Sequence, residues 1–166
     1  MESRHGQSIA FFFLLAVVWS SRAQEDRFAE NPIEYSNPSG MKDDEPLFYA
    51  TIEGGSGAPI APKIVIFYRQ PVSPYHKPVE RFLYCNNIDW LIDGKPVRFG
   101  PTSHSSLDLS DRMVELVRQP VTMKQLRMLG DAKTVEYRVC RDEAELLPED
   151  IAGVRELVRQ REKLSP

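Results

Sequence analysis

Few residues in this chain could do chemistry, and their spacing matches no reactive arrangement. The 166 residues hold three histidines (His5, His76 and His104) and two cysteines, Cys85 and Cys140. His104 is followed directly by Ser105 and Ser106, with Asp108 and Asp111 close behind. A nucleophile, base and acid could be drawn from that stretch. A triad, however, needs three side chains converging in space, and neighbours on an extended strand point to alternate faces. Neither serine lies in a Gly-x-Ser-x-Gly turn. His104, Asp108 and Asp111 could also offer a metal three ligands, but the stretch reads as a solvated turn. Cys85 and Cys140 lack the Cys-x-x-Cys spacing of a zinc site or redox pair. Asp89 and Asp93 would lie about 14 Å apart on one strand, wider than the roughly 5–9.5 Å of glycosidase carboxylates. Residues 54–57 (GGSG) carry no lysine and do not form a phosphate cradle. The sequence assigns no catalytic residue, no cofactor-binding residue and no metal ligand, and it expects no cofactor.

The start of the chain carries the clearest instruction. A short polar start with Arg4 precedes an unbroken apolar run over 9–19 (IAFFFLLAVVW), and 20–23 (SSRA) supplies small residues at the third and first places before a cut after Ala23. Eleven apolar residues are too few for a transmembrane helix, which needs about 20. The pattern is that of a secretory signal peptide over 1–23, cut after Ala23. The expected location is secreted or periplasmic, with no stable membrane span after cleavage. Loss of Arg4, Arg22 and Glu2 leaves 19 basic and 23 acidic residues, a net charge of −4 with histidine neutral. That balance offers no attraction to phosphate backbones, so nucleic acid is not an expected partner. In an oxidising compartment Cys85 and Cys140 become candidates for a disulfide, closing a loop of about 55 residues worth ~4 kcal/mol in the chain-entropy model.

Residues 24–46 are acidic and proline-containing, without a period of 2 or 3.6, and read as a flexible leader. Residues 47–166 form a single domain. Strands are expected at 47–53 and 63–69 (KIVIFYR), the latter apolar on both faces and therefore central. Residues 81–85 and 88–92 suggest strands turned by Asn86 and Asn87. Asp93–Gly94 then marks a tight hairpin into 96–99. Further strands are expected at 103–109, at a sheet edge, and at 113–118, 133–140 and 144–147. Thr122 and Gln125 form a capping box with a Val121–Leu126 staple, opening a short helix near 122–129 that Gly130 should stop. A longer helix near 148–164 carries an apolar stripe of Ile151, Val154, Leu157, Val158 and Leu164. The fold class is α+β, mostly antiparallel β-sheet, with a sandwich-like arrangement as the nearest alternative.

The absence of a reactive constellation favours a small non-enzymatic binding protein whose partner, a protein or envelope component, the sequence does not name. Contacts are expected from a sheet edge, from residues 70–78 (notably Tyr75 and His76) or from residues 101–106. The alternatives are a small exported hydrolase using carboxylates or His104, and a structural component of the cell envelope. The aromatics Phe67, Tyr68, Phe82, Tyr84 and Trp90 are read mainly as core, with an exposed patch as the other option.

Overall fold

Among the described residues, alternating burial along short β-rich segments accompanies nine strands, and two helices complete the fold. The computed structural model describes residues 32–37, 42–54, 59–72 and 79–164. The expected signal peptide, with its cut after Ala23, lies outside them, as do Tyr75 and His76. The strands are β1 (Ile33–Ser36), β2 (Pro46–Glu53), β3 (Ala61–Pro71), β4 (Ile88–Ile92), β5 (Lys95–Val97), β6 (Ser103–Leu109), β7 (Arg112–Pro120), β8 (Val135–Val139) and β9 (Asp142–Glu145). The helices are α1 (Met123–Asp131) and α2 (Pro148–Lys163). Every strand pair is antiparallel, in one sheet of order β1-β2-β3-β7-β6 and another of order β5-β4-β8-β9. The fold is α+β, as expected.

Both sheets and both helices close on one hydrophobic cluster. Alternate residues supply it: Phe48, Ala50 and Ile52 from β2, Ile64, Ile66 and Tyr68 from β3, and Trp90 and Ile92 from β4. Val135, Tyr137 and Val139 of β8 face the same cluster. The Trp90 indole of β4 donates to Gln119 Oε1 of β7 at 2.7 Å, tying the second sheet to the first. Cys140 lies just after β8, half-buried and packed against the core cluster.

Three local readings need correction. Residues 81–85 form no strand, and Asn86–Asn87 turn no hairpin: Asn86 Oδ1 accepts from Thr102, and the Asn87 carbonyl accepts from Cys140 N–H at 3.1 Å. Part of the expected leader belongs to the domain, because residues 33–36 pair with β2 as β1. Buried Asp150 holds that strand, accepting from the Tyr35 hydroxyl at 3.0 Å and the Asn37 amide at 2.9 Å while also accepting Leu147 N–H. Gly130 is not a left-handed stop: it lies inside α1, which ends on Ala132. Smaller shifts move the 96–99 and 144–147 strands to β5 and β9. The buried stripe of α2 ends at Val158, leaving Leu164 46% exposed.

The capping box forms as read, with Thr122 and Gln125 bonded reciprocally. The β4–β5 hairpin also forms, with positive φ at both Asp93 (49°) and Gly94 (73°), as a primed turn requires. Asp93 Oδ1 accepts from the Lys133 and Thr134 amides at 2.8 and 3.0 Å.

Two predictions follow from these contacts. A Cβ added at Gly130 would lie 2.9 Å from Arg155 Cα, so the glycine permits close approach of α1 to α2. Gly130→Ala should therefore lower unfolding free energy by ~1–3 kcal/mol, whereas helix propensity alone predicts a gain of ~1 kcal/mol. Denaturant titration reads the sign. The Thr134 and Lys133 amides hold the Asp93 carboxyl below its ordinary 3.8. Its contribution to stability is complete above the unfolded-state pKa and is lost as pH falls through the lowered one. An NMR titration should place Asp93 below 3.8, and a midpoint at or above that value would contradict the turn geometry.

Candidate functional site

Along β7, Met113, Glu115, Val117 and Gln119 share the inward parity and are all buried. A carboxylate at such a position is costly unless every lone pair is used. Glu115 is 0% exposed, and four donors surround it. Its Oε1 accepts from Gln70 Nε2 at 2.9 Å and from the Arg81 backbone N–H at 2.8 Å. Its Oε2 accepts from the Phe82 backbone N–H at 2.9 Å and faces His104 Nε2 at 2.9 Å. Since an ionised carboxylate only accepts, the Nε2–H donates.

These bonds explain why residues 81–85 are not a strand: the amides a ladder would use point at Glu115. Phe82 then turns inward, 1% exposed, with its ring centroid 4.5 Å from that of Tyr68. The Arg81 guanidinium lies over the Tyr68 ring, between Asp44 at 3.7 Å and Asp142 at 3.5 Å. The far end of the segment is fixed by a disulfide between Cys85 and Cys140, whose Cα atoms are 5.8 Å apart. The expected pairing is present.

With its inner side tied down, the segment displays apolar side chains outward. Val79 is 79% exposed, Leu83 47% and Tyr84 96%. Of the five aromatics read mainly as core, Tyr68, Phe82 and Trp90 are buried, Phe67 is half-buried and Tyr84 is not core at all.

His104 does not join Asp108 and Asp111. Its ring sits between two carboxylates, with Nδ1 3.9 Å from Glu80 Oε2. Asp108 is exposed, and Asp111 pairs with Arg112. Ser105 Oγ accepts from Arg118 at 2.6 Å, on the face opposite His104. Among the described residues no three His, Cys, Asp or Glu side chains assemble as a metal site. Asp89, on the outer face of the second sheet, pairs with Arg138 at 3.0 Å, and Arg138 lies 3.8 Å from Glu143. That face is an open concavity of about 710 Å³ lined by Arg98 and Arg138, the latter paired with Asp89.

No protein-family model, curated protein or solved structure matches the chain.

The Glu115 contacts predict a measurable cost. Glu115→Gln keeps the shape but replaces one acceptor oxygen with a donor, stranding at least one buried N–H. Unfolding free energy should fall by ~2 kcal/mol in denaturant titration. A change under ~0.5 kcal/mol would show that water satisfies these donors as well as the carboxylate does.

Proposed function

We propose that the chain is an exported, non-enzymatic interaction protein that meets a protein partner through the outward side of residues 79–84. The observation that carries this reading is Tyr84, 96% exposed on a segment whose backbone is pinned on either side of it. Single exposed apolar residues are ordinary on protein surfaces. Leu83 and Tyr84, on a backbone fixed by a buried carboxylate and a disulfide, form with nearby Val79 a patch whose centre is already ordered before contact. Such order lowers the entropic cost of association, and tyrosine is enriched among residues that dominate interface energetics. Tyr75 and His76 come just before this stretch in the sequence, and we propose that they contribute to binding the same partner. A disulfide is the state that an oxidising compartment sustains, which supports export after cleavage at Ala23. The hydrolase alternative draws little support from His104, whose side chain is only 6% exposed.

The test uses a photo-crosslinking phenylalanine derivative at position 84 and, separately, at position 164. Position 84 should yield a discrete adduct with a protein of the native envelope or secreted fraction, competed by excess unlabelled protein. The Tyr84→Ala chain should compete about 30-fold less well, matching the ~2 kcal/mol of a hot-spot truncation. Its folding stability should change by less than ~0.5 kcal/mol, as for an exposed side chain. Equal adducts at both positions, or equal competition by the variant, would refute the proposed contact surface.

A further inference from the structure

The two ends of the exposed segment are held by chemically different bonds. Glu115 fixes the Arg81 and Phe82 amides, whereas a covalent bond to Cys140 fixes Cys85. Leu83 and Tyr84 lie between these anchors; Asn86 and Asn87 beyond them are held separately, by Thr102 and by the Cys140 N–H, so the disulfide acts on Cys85 itself.

Cys140 occupies an unusual place. Val139 pairs with Asp142, so Cys140 and Arg141 form the two-residue loop between β8 and β9. Cys140 has φ 58°, in the left-handed region favoured by glycine. The other two non-glycine residues with positive φ among those described are Asp44 and Asp93, a type that tolerates this region through local side-chain bonding. Cysteine has no such means. Its bond to Cys85, with the hairpin, keeps it there, so cleavage would relieve a constraint as well as remove a tether. Cys85 is exposed, giving a reductant access. Strained or exposed disulfides are the more readily reduced ones.

We infer that the Cys85–Cys140 bond is a redox-operated clasp on the Leu83–Tyr84 end of the contact surface. A dithiol reductant would open it: its thiolate attacks one sulfur, the second thiolate resolves the mixed disulfide, and the reductant leaves as a disulfide. Two electrons and two protons pass to the protein, which gains two thiols. The Arg81 and Phe82 amides stay on Glu115, and Phe82 stays in the core. The reduced chain therefore remains folded while Tyr84 loses its fixed position. The consequence for binding rests on the contact-surface reading above, but the clasp is measurable without any partner.

The experiment incubates the folded, oxidised chain in graded reduced and oxidised dithiothreitol without denaturant. Thiol alkylation with mass spectrometry reads the bond, and hydrogen exchange reads the backbone. Reduction should go to completion with β3 and β7 amides still protected. By NMR relaxation the backbone order parameters of Leu83 and Tyr84 should fall below ~0.6, the flexible range, while exchange at Arg81 and Phe82 changes less than twofold. The double variant Cys85→Ser/Cys140→Gly, which supplies the residue that φ favours, should reproduce this pattern in a folded chain. A bond that resists reduction until the domain unfolds, equal loosening at Arg81 and Phe82, or a double variant that fails to fold would each overturn the clasp. Identical crosslinking at position 84 in both redox states would refute its link to binding. Absence of adducts in either state would count against the contact surface alone.

Discussion

The buried carboxylate of Glu115 sets the terms for the surface around it. Taking a charge out of water costs several kcal/mol, offset only where hydrogen bonds of good geometry replace the lost solvent. Glu115 meets that condition by drawing donors from three places: the end of β3, the edge strand β6 and the irregular segment before β4. A fully satisfied polar cluster of this kind fixes one arrangement, because any other leaves a buried charge exposed to apolar surroundings. The Arg81–Phe82 backbone ahead of β4 is thereby held in one shape without strand pairing.

That constraint separates the faces of the segment. Phe82 joins the core beside Tyr68, and its neighbours Leu83 and Tyr84 are turned to solvent. The disulfide at Cys85 extends the same ordering to the far end. Elsewhere the fold uses a parallel device: buried Asp150 gathers Tyr35, Asn37 and the start of α2, fastening β1 to the domain. In both places a single carboxylate on a regular element captures a distant stretch of chain through directed hydrogen bonds.

Local chemistry was legible wherever neighbours along the chain decide the outcome. The two-sided apolarity around Ile64–Ile66 placed β3 at the centre, between β2 and β7. Asp93–Gly94 and the Thr122–Gln125 box formed as their turn and cap requirements dictate. What escaped was set at long range. The stretch from Arg81 to Cys85 has strand composition, yet its amides are taken by Glu115, more than thirty residues away. Nothing near Tyr35 signals Asp150, 115 positions on. Gly130 resembles a helix stop until Arg155 is placed beside it. Glu115 itself left one trace, a charge at the parity of buried Met113 and Val117 on β7. That parity asks for donors but does not say which.

The role of Glu115 is tested most directly by trypsin cleavage between Arg81 and Phe82 in the folded chain, the peptide bond whose flanking amides both donate to the carboxylate. In the native protein this bond should resist cleavage relative to the exposed Arg98 site. In Glu115→Gln it should be cut at least tenfold faster while cleavage at Arg98 is unchanged. Equal rates in the two proteins would mean that the segment keeps its shape without the carboxylate, contradicting the account.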